Sequence, residues 1–327
     1  MAASGSGTPT GHDVIHVAAA DHVDALIDEI SQRGERVVAV ADDLVFVAGA
    51  ARPAAWARNS WLAPRTITID SIGDGARALR ALQRNWTLHR VAHHRRAQLI
   101  ADRLPPIRFR ALTFPADPPT APLGGWTLWD RHTLIASPVT TSAFADGTPA
   151  FVEDRDNPPN RAYLKLWEAL TLARRRPGPG DRCLDLGAAP GGWTWVLAAL
   201  GATVISVDRA ELAPALADRP EVAHRAGDAF AVRAADVGAV DWICSDLIAY
   251  PERLLELARY WCAACPRAAV IITVKCQGPV DAALCARFLA IPGARLLHLA
   301  HNKHELTFFR LPEGGPPEAA CAVDTTD

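Results

Sequence analysis

The stretch Asp185-Leu186-Gly187-Ala188-Ala189-Pro190-Gly191-Gly192-Trp193 sets three glycines and a proline behind a short apolar run and ahead of a helical pattern. Small residues let a backbone approach a ligand closely, and the free N–H groups of a starting helix face that ligand. Asp208 closes the next apolar run, 23 residues after Asp185, where a carboxylate suits a ribose diol. Asp228, in Ala226-Gly227-Asp228-Ala229-Phe230, follows a third run and can accept an adenine amino group; Asp246 follows a fourth. Two nucleotide cofactors compete for such a design. Dinucleotide enzymes write G-x-G-x-x-G to seat a pyrophosphate, whereas the order here is G-x-x-x-G-G with a proline, which disfavours NAD. S-adenosyl-L-methionine has no phosphate and suits a loop that cradles an amino-acid carboxylate and a nucleoside. An acid after the second strand is common to both.

The basic residues carry a second signal. Of 34 lysines and arginines only Lys165, Lys275 and Lys303 are lysines. A drift to arginine is expected of a GC-rich genome, under which a cation that supplies only charge becomes Arg. A lysine that survives is either retained by chance or marks a need for an amine that can shed a proton, which a guanidinium cannot do.

These residues must be positioned by two kinds of element. From residue 161 onward, short apolar or β-branched runs (183–186, 204–207, 242–244, 270–274) alternate with helical stretches (193–200, 253–262, 282–290), the pattern of a doubly wound parallel sheet. A final hairpin, 296–299 with 306–309, would close it. Before residue 140 the pattern is mixed α+β. An apolar run at 14–18 leads to a helix that Asp21 can cap, with Val23, Leu26, Ile27 and Ile30 on one face. Runs 36–40 and 44–47 form a hairpin through Asp42 and Asp43; a strand 66–69, helices 76–86 and 97–104, and strands 109–114, 126–129 and 134–136 follow. The expected division is a tail at 1–12, an N-terminal α+β domain at 13–150, an α/β domain at 151–311 and a tail at 312–327, both tails disordered.

Charge is uneven within the first half. Residues 1–50 balance at −6 and residues 51–110 at +9. The densest stretch runs His89-Arg90-Val91-Ala92-His93-His94-Arg95-Arg96, with Trp86 before it and Arg103, Arg108 and Arg110 after it. Arginine forks for phosphates with an aromatic for stacking suit an RNA surface, although a solvated helix face would carry the same charges.

Composition excludes several classes. A chain of 327 residues, 50% hydrophobic and 21% charged, is globular and long enough for two domains. No apolar run approaches the ~20 residues of a membrane span, and the small, polar start has no secretory pattern, so a cytoplasmic location is expected. The seven cysteines (Cys183, Cys244, Cys262, Cys265, Cys276, Cys285, Cys321) read as reduced core thiols. Cys262 and Cys265 form a C-x-x-C late in a helical pattern, the wrong end for a thiolate, and no second pair completes a zinc site. His301 and His304 lack a carboxylate shell, so no metal is expected, and no G-x-S-x-G supports a serine hydrolase.

The loop D-L-G-A-A-P-G-G-W resembles that of the FtsJ-like ribosomal RNA 2′-O-methyltransferases. The likeness extends through Asn160-Arg161-Ala162-Tyr163-Leu164-Lys165-Leu166, Cys244-Ser245-Asp246, Val274-Lys275 and His301-Asn302-Lys303-His304-Glu305. An added N-terminal domain makes the chain more similar to the RlmM-like branch, which modifies a cytidine ribose in large-subunit ribosomal RNA. One departure is Ala162, where relatives carry serine. The resemblance implies a Rossmann-like, S-adenosyl-L-methionine-dependent methyltransferase domain behind an α+β domain of THUMP-like or ferredoxin-like type. It implies a catalytic tetrad of Lys165, Asp246, Lys275 and Glu305, and a cofactor site of Gly187, Ala189, Pro190, Gly191, Gly192, Trp193, Asp208, Asp228 and Asp246. In that scheme Lys275 takes the proton of the ribose hydroxyl, the like charge of Lys165 favours its release, and Asp246 and Glu305 position the amines. RNA, in particular large-subunit ribosomal RNA, is the expected partner, with no membrane and no obligate protein partner. The alternatives are a methyltransferase for another RNA or a small molecule, or a non-catalytic RNA-binding protein with a vestigial cofactor pocket; the four tetrad residues argue against the last.

Overall fold

In the computed structural model, residues 7–276 and 282–312 are described. The chain forms two compact units. Met1–Glu153 joins Cys276–Cys285 and Leu296–Leu306 in the first, and Asp154–Lys275 joins Ala286–Arg295 and Thr307–Asp327 in the second. The expected tails lie largely outside the described residues, as does Cys321.

The first unit opens with β1 (Val14–Ala18), α1 (Val23–Gln32), β2 (Arg36–Ala41), β3 (Leu44–Ala48) and β4 (Ala57–Leu62). It continues with β5 (Arg65–Thr68), α2 (Ile72–Leu82), β6 (Trp86–Leu88), α3 (His94–Ala101), β7 (Gly124–Leu128), β8 (Thr133–Ser137) and β9 (Val139–Thr140). Two sheets result, ordered β2-β3-β1-β4-β9 and β5-β8-β7-β6. Trp61 of β4 lies against β7, where a Cβ on Gly125 would stand 2.3 Å from its ring, so only glycine fits there. Leu79, Trp86, Ala97, Ile100, Trp126 and Leu134 pack α2 and α3 onto the four-stranded sheet. Glu29, buried in α1, accepts the backbone N–H groups of Ala55 and Trp56 at 2.9 and 3.1 Å, and burial raises its pKa.

Three local expectations for this unit need correction. The helix expected at 76–86 spans Ile72–Leu82, because Ser71 caps it by accepting the Asp74 N–H at 3.1 Å. Trp86 kept the helical period going in the sequence because its indole packs on that helix and donates to Leu79 O; its backbone belongs to β6. The strand expected at 109–114 reduces to an isolated bridge between Leu112 and Phe151, with Phe109 exposed and prolines at 105, 106 and 115. Asp21 does not cap α1: it adopts a φ of 62°, and His22 takes the cap position without a side-chain bond.

The second unit carries α4 (Tyr163–Ala173), β10 (Arg182–Leu186), α5 (Gly192–Ala199), β11 (Thr203–Asp208), α6 (Pro214–Ala217), β12 (Val222–Ala226), α7 (Ala234–Val237), β13 (Trp242–Ser245), α8 (Pro251–Ala264) and β14 (Ala269–Lys275). The last elements, α9 (Ala282–Leu289), β15 (Ala294–Leu297) and β16 (Glu305–Arg310), have residues assigned to both units. The sheet order is β12-β11-β10-β13-β14-β16-β15, and β10 to β14 pair in parallel. Parallel strands covered on both faces are largely apolar; accordingly Cys183, Leu184, Ile243, Cys244 and Val270–Ile272 are fully shielded. After β10 the chain adds strands on one side, through β11 and β12, and then crosses to the other with β13 and β14. Such a switch point opens a crevice at the carboxyl ends of the strands, where ligands bind in open α/β sheets. Burial pushes the Cys262 thiol up to about 11 and raises that of Cys265, so neither is a thiolate at neutral pH.

Candidate active site

Four carboxylates and amines stand toward the carboxyl ends of this sheet. Asp185 is one residue from the end of β10, Asp208 ends β11, Asp246 follows β13 and Lys275 ends β14. Lys165, in the first turn of α4, donates to Asp246 Oδ1 and Oδ2 at 3.2 and 3.3 Å, and Lys275 Nζ donates to Asp246 Oδ1 at 3.0 Å. All three side chains are mostly shielded, between 14% and 19% exposed. Two amines therefore share one carboxylate in a site with limited water. Glu305 belongs to the first unit, where it opens β16 and is buried.

The glycine loop behaves as its composition requires. Gly187 and Gly191 have φ of +77° and +116°, which side chains rarely adopt, and a Cβ on Gly187 would lie 2.4 Å from Leu247. Gly191 caps α5 without a side-chain bond, so the first N–H groups of α5 are not taken by a cap. Pro190 follows a cis peptide. Trp193 differs from the rest of the loop: its indole is buried and donates to Ala162 O at 3.0 Å, so it braces the loop against the start of α4. Asn160 fills the neighbouring space, accepting the Ala162 N–H at 3.0 Å and lying where a Cβ on Gly192 would meet it at 2.2 Å.

Asp208 accepts the Ala189 N–H through Oδ2 at 3.0 Å and the Ala210 N–H through Oδ1 at 2.9 Å. A carboxylate has about four lone-pair sites, so each oxygen keeps one for a ligand hydroxyl. Asp228 accepts the Phe230 N–H at 3.0 Å and an N–H of Arg209 at 2.8 Å; these bonds to the charged form hold its pKa below the usual range.

Asp185 is the residue whose part sequence reasoning missed. It sits on the central strand between Ser206 of β11 and Cys244 of β13 and is 1% exposed. Burial pushes its pKa up to about 7, helped by the carboxylates of Asp246 and Asp208, while the Thr194 hydroxyl, donating at 2.6 Å, works the other way. Nothing in the sequence announces Thr194 as its partner; the contact arises because α5 folds back over β10.

In the first unit, His93, His94, Arg95, Arg96 and Arg131 line one cavity of about 570 Å³ with Ile72 and Leu99. α3 begins there with no capping side chain and no acid in its first turn. Arg90 is turned toward Gln98, to which it donates. Among the described residues no helix is long and apolar enough to cross a membrane, and no cluster of His, Cys, Asp and Glu is arranged to hold a metal.

Residues 158–280 match the family model of FtsJ-like methyltransferases. The segment is an FtsJ-like methyltransferase domain. Its curated relatives include the ribosomal RNA large subunit methyltransferase M of Halorhodospira halophila, 46% identical over 108 residues, which are 32% of this chain and 31% of that protein. The protein of the same name from Methylococcus capsulatus is 33% identical over 167 residues, 46% of this chain and 47% of its own length. The matched stretch thus spans less than half of either relative. Among solved structures, Aeropyrum pernix fibrillarin with bound S-adenosyl-L-methionine covers 56% of this chain and 80% of its own at 17% identity and a TM-score of 0.35. Lys165, Asp246 and Lys275 all fall inside the FtsJ-like domain.

Proposed function

We propose that the chain is an S-adenosyl-L-methionine-dependent methyltransferase acting on a ribose 2′-hydroxyl of RNA, with a cytidine of large-subunit (23S) ribosomal RNA as its substrate. The observation that carries this reading is the convergence of Lys165 and Lys275 on Asp246 at the mouth of the switch-point crevice. The donor set fits the cofactor. Asp208 offers acceptors to a ribose diol, Asp228 one to an adenine amino group, and the Gly187–Gly192 loop, with its positive-φ glycines and an N-terminus that no side chain caps, leaves room and N–H groups for a carboxylate. When bound, S-adenosyl-L-methionine supplies an electrophilic methyl group on a sulfonium.

The chain's own residues then have defined tasks. Asp246 holds both amines at one point in space. The scheme requires the amine that acts as base to meet the hydroxyl without its proton, while the other amine keeps its bond to the carboxylate. Lys275 Nζ, at the end of β14, takes the proton of the 2′-hydroxyl; Lys165, on the same carboxylate, steadies the oxygen; Glu305 is assigned to positioning, as the resemblance implies. Much of the acceleration comes from holding two reactants in line. The N-terminal domain, 13–150, is the RNA-holding module on the strength of its basic cavity, and 151–311 the methyltransferase domain. On this reading the enzyme is assigned to the cytoplasm.

Lys275→Arg tests the reading. Arginine keeps charge and approximate reach but cannot shed a proton, so single-turnover transfer to unmodified ribosomal RNA should fall by ~10²–10⁴-fold, with cofactor and RNA affinities nearly unchanged. Near-wild-type rates would remove Lys275 as the base. No transfer by the wild type to any RNA would leave a binding protein.

A further inference from the structure

The segment that follows Asp246 carries two side chains the proposed chemistry does not use. Ile248 is 83% exposed and Tyr250 68% exposed, more than any other large hydrophobic among the described residues. Single exposed hydrophobics are ordinary on protein surfaces. Here two stand one residue apart, on the loop leaving the carboxylate that organises both amines, at the carboxyl end of the sheet where ligands bind.

The loop is anchored at both ends, so the two side chains are presented on a fixed support. Leu247 packs onto Gly187 of the glycine loop, so closely that no Cβ would fit there. Tyr250 is the cap residue of α8, its backbone extended at φ −61° and ψ 143°, a region that Pro251 at the next position enforces. Its carbonyl accepts the N–H groups of Arg253 and Leu254 at 3.0 and 3.2 Å. Along a chain that spans at most ~3.6 Å per residue, the Tyr250 Cα lies within about 14 Å of that of Asp246. One turn into α8, the Arg253 guanidinium lies 3.7 Å from the ring centre of Phe230, so the same rim also carries a cation.

We propose that Ile248 and Tyr250 form a stacking platform for a nucleobase of the RNA substrate, belonging to the nucleotide that is methylated or to its neighbour. The inference rests on the RNA-methyltransferase reading and deepens it. An enzyme that brings a ribose hydroxyl to a recessed pair of amines must hold that nucleotide away from its stack, and unstacked bases are held on exposed aromatic faces. A phosphate contact would call for charge on these two side chains themselves, and a partner protein for a broader apolar patch. A flat aromatic ring beside an aliphatic side chain, on a narrow loop next to the reacting centre, suits one base.

The test uses the full chain and protein-free 23S ribosomal RNA transcribed in vitro. Tyr250→Ala should weaken RNA binding by about 5- to 150-fold, leave S-adenosyl-L-methionine affinity unchanged by calorimetry, and leave the slope of log affinity against log salt unchanged, because the substitution removes no cation from a phosphate. In methyl transfer it should raise KM with little change in kcat. Tyr250→Phe, which keeps the ring, should restore binding. RNA binding by Tyr250→Ala equal to that of the wild type would overturn the platform, as would a Tyr250→Phe variant as weak as Tyr250→Ala, or a change of oligomeric state as the only effect of Tyr250→Ala. A wild type that binds RNA without methylating it would sink the enzymatic reading while the binding comparison still judged the platform; a wild type that binds no RNA would end both.

Discussion

Replacing Asp185 by asparagine removes a charge that the fold resists while keeping an oxygen that can accept the Thr194 hydroxyl bond, 2.6 Å long in the native protein. In an unfolded chain an aspartate titrates near ~3.9, whereas burial under the glycine loop pushes Asp185 up to about 7. The pH window follows from that gap. Below about pH 4 the carboxyl is protonated in both states and costs nothing. Between about 4 and 7 the unfolded chain releases the proton while the folded chain retains it, so this group removes stability as pH rises, by roughly 1.4 kcal/mol per pH unit. Above about 7 both states are ionised and the loss, on the order of 4 kcal/mol, is complete. Asparagine has no such dependence. Urea unfolding of the wild type and Asp185→Asn at matched pH should show the variant gaining on the wild type by roughly 2–3 kcal/mol between about pH 5 and pH 8, with most of the gain below about pH 7.5. Titrating groups that do not interact with Asp185 are common to both proteins and cancel in the difference. A difference that stays constant across that range would show that Asp185 ionises as freely in the fold as outside it, and the account of the buried carboxylate would fail.

Two further outcomes are expected. Asp208→Ala should weaken S-adenosyl-L-methionine binding by about 30-fold or more in calorimetry, on the order of 2 kcal/mol or above, and tight NAD binding by the wild type would contradict the cofactor assignment. Replacing Arg90, Arg95 and Arg96 by glutamine should weaken RNA binding and lower the salt slope by up to about 2–3, at ~0.7–0.9 for each phosphate that is no longer neutralised, with cofactor affinity preserved; an unaltered slope would return these arginines to a merely solvated role.

The centre of the second unit was legible because its strands are parallel and covered on both faces, so β11, β13 and β14 read as largely apolar runs that stop toward the crevice. Asp208 and Lys275 stand at such stops, and Asp246 follows the last residue of β13. The first unit was harder. β4 escaped notice because its buried positions include Asn59 and Ser60, whose polarity is met by distant partners: Ser60 Oγ pairs with His16 at 2.7 Å, and Asn59 accepts the Ser142 N–H at 3.0 Å. Trp86 misled for the opposite reason, a ring packed on one element and a backbone belonging to another. At the site, rarity singled out the lysines, but only the fold could set two of them on one carboxylate. The state of Asp185 was invisible, since it depends on the strands to either side and on a helix folded over the top.

The meeting of Lys165 and Lys275 at Asp246 also bears on how this sequence has been allowed to change. Thirty-one of its 34 strong cations are arginine, so whatever mutational pressure favours arginine has had its way almost everywhere. Two of the three exceptions sit on the same carboxylate. A background bias, usually treated as noise, thereby becomes a filter that marks where a guanidinium was refused. In other chains that have drifted as far toward arginine, the few lysines left are the positions to examine first, before any relative has been found.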